Sequence, residues 1–435
     1  MNKEELKLQV CAAVEKRARE MVEFGQSVFD EPELGYKELK TSEKVQKKLD
    51  ELQIPYQTGM ALTGVKGRLK GASSRRTVAV LGELDAIICR RHPAADTATG
   101  AAHCCGHYVQ LADMLGVAMA LQDTGAMQYL GGDVVFFAVP AEECIELEYR
   151  NELREHRKIH FLSGKQELIY RGEFDDIDAA LQMHVATTDD PQGTIEIGGS
   201  LNGFISKIID YHGKAAHAAG APHLGVNALN AAMLGMMGVN ALRETFREED
   251  YVRFHPIITQ GGDLVNVVPD FVRMESYVRA ASAEAMKSYN DRIDRALKAG
   301  ADAIGATCEI HNMPGDLPLH QDTGLSALLE ANSRGIFGGQ HIIHPPQNAG
   351  STDMGDVSHL MPVLHPHIGC VHGALHSADY ELVDPRTAFV KATQVMVLTL
   401  IDLLYDDASG LETVLSDFKP PMTKEGYLDF MDSIH

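Results

Sequence analysis

Apolar positions recur every three to four residues through 3–23 and again through 39–52, which predicts two amphipathic helices. A turn region rich in Gly and Pro signals, Asp30-Glu-Pro-Glu-Leu-Gly-Tyr36, separates them. The rhythm then shifts to short apolar runs at Thr77–Leu81, Asp133–Val139 and Asp178–Val185, each the length of a strand. Helical patterns at about 108–122 and 163–172 fall between them. Alternation of this kind predicts an α/β domain whose mostly parallel central sheet is covered by helices.

The middle of the chain has another order. Ser206–Gly213 reads as a strand, Gly225–Thr245 as a long helix, and Arg253–Thr259 and Val272–Ala280 as two strands. Ser282 is a suitable N-cap for a helix to Ile304, and Thr307–Met313 closes the set. The order βαββαβ predicts a ferredoxin-like domain inserted at residues 201–315. Residues 1–200 and 316–435 then form one discontinuous domain. In its second part Pro362–Ile368 predicts a strand, and Asp384-Pro385 starts a long apolar helix to Tyr405. The tail after Asp406 has no readable pattern.

Length agrees with more than one domain, since 435 residues exceed an ordinary single core. The net charge of −22, from 39 Lys and Arg against 61 Asp and Glu, disfavours nucleic acid and anionic membranes as partners. No apolar run is expected to cross a bilayer, and the charged start Met-Asn-Lys-Glu-Glu lacks a secretory signal, so a cytoplasmic enzyme is expected. Seven cysteines form no regular framework, and reduced thiols are expected.

The chemistry follows the strands. Glu83-Leu84-Asp85 comes after the first, Glu142-Glu143 after the second, His184 closes the third, and a loop with His372 and His376 follows the fourth. Ligands gather at the carboxyl ends of strands in open α/β sheets, so one shared polar site is expected. His103-Cys104-Cys105-Gly106-His107 adds a thiol and an imidazole two residues apart, a set that suits zinc, or manganese as a second choice. A buried Cys beside a hydrogen-bonded His explains that pentapeptide equally well. Adjacent acids usually mark a solvated turn, and a lone loop histidine such as His217 ordinarily means little.

In combination the motifs resemble the M20 metallopeptidases, specifically their amidohydrolase branch, close to aminobenzoyl-glutamate utilisation proteins and aminoacyl-dipeptide hydrolases. The landmarks are Glu83-Leu-Asp85, Cys105-Gly-His107, Ala141-Glu-Glu143, His184, Gly213-Lys-Ala-Ala-His217, Asn266-Val-Val-Pro-Asp270, Gly350-Ser-Thr-Asp353 and His376-Ser. The resemblance implies a zinc-peptidase-like catalytic domain with an inserted lid and dimerisation domain. It implies one or two divalent ions, Zn2+ before Mn2+, held by Cys105, His107, Glu143, His184 and His376. Glu142 would be the general base and Asp85 would orient a ligand. His217 would stabilise the oxyanion, while Asn266, Arg279, Ser351 and Thr352 would hold substrate. The implied substrate is a small N-acyl, N-aroyl or aminoacyl amino acid, and the implied assembly a homodimer.

Two departures stand out. Tyr108 follows Cys-Gly-His where the family has Asn or Asp, and the segments after Asp85 and after Glu143 are long. The charged insertion around Ile145–His160 is expected to border the active-site mouth. Two other readings compete: a catalytically silent ligand-binding or regulatory protein on the same scaffold, and a thiol enzyme using Cys104-Cys105. The second lacks a Cys-X-X-Cys motif.

Overall fold

A computed structural model describes residues 1–434. The first helix, Lys3–Phe29, runs past the expected end at residue 23. Asn2 caps it, accepting from Glu5 N–H while the Glu5 carboxylate accepts from Asn2 N–H. The second helix is Leu39–Glu51.

The chain divides into two compact units. The first comprises Met1–Ser200, His320–Pro346 and Asp356–Lys424. Its six-stranded sheet has the order Tyr56–Met60, Gly64–Leu69, Gly132–Val139, Arg76–Glu83, Ala179–Gln182, Val363–Leu364. The first two pairings are antiparallel and the last three parallel, so the sheet is mixed with parallel pairing in the majority. The outermost strand, Tyr56–Met60, is mostly exposed and therefore carries no apolar run to betray it.

Two expected strands are each split between sheets. Asp178–Val185 becomes Ala179–Gln182 in the central sheet and His184–Thr187 in a second, smaller sheet. Pro362–Ile368 becomes Val363–Leu364 and His367–His372, broken at Pro366, which has no N–H for the ladder. The Pro366 carbonyl instead accepts from His184 N–H. His184 and His367 are register partners in the small sheet.

Helices Lys3–Phe29, His107–Thr124 and Ala392–Leu404 pack on one another over the core. His107–Leu121 is buried on every side, which explains a continuous apolar pattern without a polar face. Arg386–Leu404 is long and apolar enough to cross a membrane by length and composition, correcting the expectation that no segment is. Its most apolar window is 89% buried inside the protein, as a core helix. Two helices missed in the tail are Ser409–Asp417 and Lys424–Asp432.

The second unit comprises Leu201–Leu319, Gln347–Gly355 and the residues from Glu425 onward. Its antiparallel sheet places Phe271–Ala280 beside Gly203–His212, and Thr307–Pro314 on the other side of that strand. Arg253–Phe254 and Ile257–Gln260, separated by Pro256, both pair with Phe271–Ala280. Burial alternates residue by residue along Phe271–Ala280, so one face meets the helices. Those helices are Ala228–Leu242 and Ala283–Asp302, the second capped by Ser282 as expected. They approach closely at a pair of glycines: a Cβ on Gly300 would stand 2.2 Å from the Gly235 nitrogen.

Candidate metal centre

Gly106 determines how the thiol–imidazole pair is presented. Its φ is +94°, and a Cβ there would lie 2.3 Å from a Val185 methyl, so only glycine fits. The helix begins at His107 immediately afterwards. His107 Nδ1 donates to the Asp85 carbonyl at 2.8 Å, and the Asp85 carboxylate lies 3.2 Å from the same nitrogen. This places a proton on Nδ1 and turns the buried Nε2 toward Glu83 Oε2 at 3.0 Å. His184 follows the same rule: Nδ1 donates to the Val185 carbonyl at 2.8 Å, and Nε2 faces Cys105 Sγ at 3.6 Å.

Cys105 is the hub. His376 Nε2 lies 3.1 Å from its sulfur and 2.9 Å from Glu143 Oε1. Three sets of donor atoms gather within 4.8 Å of one another: Cys105 with His107 and His184; Cys105 with Glu143 and His376; and Glu83 with His107 and Glu142. Cys105 belongs to two of them, as a ligand shared by two ions would. The buried Nε2 of His107 and Oε1 of Glu143, set against Glu83 Oε2 at 3.0 Å and His376 Nε2 at 2.9 Å, join a group of soft and borderline donors that suits a divalent ion. All five ligands expected from the sequence are thus brought together.

Electrostatics agree with the geometry. Burial and the Glu143 carboxylate push the Cys105 thiol up, but His107, His376 and His184 outweigh them and pull it down to about 6. Burial also opposes charge on Glu143, yet His376 and His107 hold that carboxyl down at about 2. Cys104 differs: burial pushes its thiol up, and it joins the apolar core, which disfavours the thiol-enzyme reading. His103 is buried edge-on to Tyr108 and belongs to none of the donor sets. Tyr108 turns into the core as well, accepting from the Tyr380 hydroxyl at 3.3 Å.

Asp85 does more than face His107, because its Oδ2 accepts from Glu143 N–H at 3.0 Å. Glu142 Oε2 stands 3.8 Å from His107 Nε2. Sequence reasoning assigned no role to Glu83 or Lys165. Glu83 is fully buried at the strand end and accepts from Lys165 Nζ at 2.7 Å, Gln182 Nε2 at 2.6 Å and Gln110 Nε2 at 2.8 Å. The only local signal for this network was the position of Glu83 two residues before Asp85.

The remaining expected residues lie in the second unit. His217 is exposed, and its Nδ1 accepts from Ala219 N–H at 3.3 Å and Gly220 N–H at 2.9 Å, so its neutral ring carries the proton on Nε2. Asn266 is exposed nearby in the same turn system, its carbonyl accepting from Ala218 N–H. Arg279 Nη1 donates to Ser351 Oγ at 2.5 Å, and its guanidinium lies 5.3 Å from the Phe204 ring. Thr352 is buried, with its hydroxyl accepting from Met354 N–H at 3.3 Å.

Residues 79–402 match the sequence profile of peptidase family M20/M25/M40. The chain is 27% identical over 341 residues to the Xaa-Arg dipeptidase of Mus musculus, covering 75% of this chain and 72% of that protein. It is 28% identical over 397 residues to the N-acetylcysteine deacetylase of Bacillus subtilis, covering 88% and 97%. Its fold matches the crystal structure of the Bacillus subtilis YXEP protein, described as a dinuclear metal-binding peptidase of the M20 family, with a TM-score of 0.67 and 23% identity over 90% of this chain and 99% of that one. Nothing in these likenesses supports the silent-scaffold alternative. The chain belongs to peptidase family M20/M25/M40 and is a metal-dependent hydrolase of amide or peptide bonds.

Proposed function

We propose that the substrate is an N-acyl, N-aroyl or aminoacyl amino acid and that Glu142 is the general base for its hydrolysis. The carrying observation is the Glu142 carboxylate 3.8 Å from His107 Nε2, in one donor set with Glu83 and His107 beside the sets built around Cys105. The named activities of the mouse and Bacillus relatives, on an Xaa-Arg dipeptide and on N-acetylcysteine, support the substrate class.

Cys105, His107, Glu143, His184 and His376 hold one or two divalent ions, zinc before manganese because a thiolate and three imidazoles are the softer set. Such an ion supplies Lewis acidity toward the carbonyl and toward water. Glu142 takes the proton of the attacking water on its carboxylate and passes it to the departing amine nitrogen. Asp85 keeps the His107 proton on Nδ1 and the Glu143 backbone in place. His217 donates from Nε2 to the carbonyl oxygen as it gains charge, a role supported by its tautomer. Arg279, with Ser351, Thr352 and Asn266, receives the substrate carboxylate, for which a guanidinium fork is suited.

Residues 1–200 and 316–435 act as the catalytic domain, and 201–315 as a ferredoxin-like lid. The lid pairs two copies of the chain as a cytoplasmic homodimer. Exposed Met233 and Met237 on Ala228–Leu242, with exposed Ile257 and Ile258 on an edge strand, support that pairing. The deciding experiment is a panel of acylated and aminoacyl amino acids, assayed before and after zinc or manganese loading. Release of free amino acid should require metal. Glu142→Gln should retain metal and lose about 10²–10⁴-fold in turnover; full activity in that variant removes Glu142 from the role.

A further inference from the structure

Ala141 sits at φ +54°, in the left-handed region that a residue with a Cβ occupies at a cost of about 1 kcal/mol or more. Such a conformation persists only where its surroundings impose it. Both ends of this residue are gripped by buried charged side chains. Its N–H donates to Glu38 Oε1 at 2.8 Å, and its carbonyl accepts from Arg150 Nη1 at 3.2 Å. Arg150 Nη1 also donates to the Leu162 carbonyl at 2.8 Å, and Nη2 donates to the Glu143 carbonyl.

Arg150 belongs to the helix Leu147–Glu155, inside the charged insertion expected to border the site mouth. Its side chain instead turns inward and is 1% exposed. Gly35, in the turn before the second helix, leaves the necessary room: a Cβ there would lie 2.5 Å from Arg150 Nη2 and 3.0 Å from Ala141. Glu38 is fully buried and is held in turn by the Thr63 hydroxyl at 2.7 Å.

We propose that Arg150 is a positioning residue for the hydrolysis, acting with Glu38 to lock Ala141 in the turn that delivers Glu142 and Glu143 to different donor sets. The inference rests on the reading of Glu142 as base and Glu143 as ligand. A planar guanidinium presents donors in a fixed fork and here spans carbonyls from two chain segments, which a lysine ammonium cannot match in direction. An apolar side chain of similar volume would fill the space without burying a charge, so the distinctive contribution of Arg150 is the set of carbonyls it aligns. The insertion is thereby a brace for the catalytic loop.

The test uses the full chain carrying Arg150→Lys, Arg150→Met, Glu38→Gln or Glu38→Ala, loaded with zinc or manganese. kcat and KM per metal-loaded molecule, metal retention against a chelator, and melting of the metal-free protein are compared. Arg150→Met should lower kcat by about 100-fold with little change in KM, because a displaced base costs turnover. It should also hold metal about tenfold less well, with Arg150→Lys intermediate. Glu38→Gln, which keeps the acceptor for Ala141, should restore most of what Glu38→Ala loses. Lower melting temperatures with parental kcat and metal retention would reduce Arg150 to a packing residue and overturn the proposal. If Arg150→Met does not fold, parental turnover in Glu38→Ala overturns it instead. Glu142→Gln separates the two levels: activity in that variant defeats the functional reading, whereas its inactivity alongside normal Arg150 variants defeats only this one.

Discussion

The loop bearing Glu142 and Glu143 and the turn bearing His217, to which the proposed mechanism gives chemistry of similar weight, are built in opposite ways. In the first, Glu38, Arg150 and Asp85 each hold a named backbone group, and all three side chains are buried. In the second, His217 is exposed and is held only by two N–H groups of its own turn. Groups that must bind ions and exchange protons gain from being fixed before substrate arrives, because no reorganisation is then needed during reaction. A group that meets substrate from a solvent-exposed turn can be ordered by the substrate itself, and such segments come from the low-stability end of a fold.

The largest expected effect breaks the fixed side of this comparison. Cys105→Ala removes the donor common to two ligand sets and should release metal, cutting turnover by about 10³-fold; metal analysis after dialysis checks it, and an unchanged content removes Cys105 from the ligands. On the exposed side, His217→Ala should cost about 100-fold in kcat while leaving metal content and melting temperature untouched. An unaltered kcat would show that the oxyanion is stabilised elsewhere.

A smaller effect sharpens the view of the brace. Burial and the neighbouring Asp85 carboxylate push the Glu38 carboxyl up to about 7. Its folded pKa therefore lies above the unfolded one, so its contribution to stability is complete at low pH and is lost as pH rises through about 7. Glutamine at this position has no proton to lose. Between about pH 5 and about pH 8, the stability of Glu38→Gln relative to the parent should improve by about 2 kcal/mol, readable from paired denaturant melts. A pH-independent difference would place the Glu38 proton outside this balance. The smallest effect on chemistry is expected from Met237→Glu, which should convert the proposed homodimer to monomers in sedimentation with the metal centre intact; a parent that sediments as a monomer defeats the dimer proposal, and an unshifted dimer moves the interface off that helix.

Much of this was legible in the chain. Cys105, His107, Glu143, His184 and His376 were marked by residue type, by position after apolar strands and by family resemblance, and strand ends do bring them together. The splits at Met183 and Pro366 were not legible, because an apolar run looks the same whether it stays in one sheet or crosses to another. Tyr56–Met60 was missed for the opposite reason, having too few buried positions to leave a pattern. Arg150 and Lys165 carry no signal of burial in the sequence, since burial of a cation depends on partners remote in sequence.

The sequence by itself determined the donor types, the Gly106 turn that presents two of them, and the alternation of elements that sends them to strand ends. Each of these is a local property, carried by one residue's chemistry or by a short periodicity. Only the tertiary structure decided which nitrogen of His107 faces the centre, that Glu83 is neutralised by Lys165, and that the charged insertion turns an arginine inward beneath Ala141. Those outcomes depend on hydrogen-bond partners between about 10 and 100 residues apart, and a buried charge is tolerable only where such partners converge.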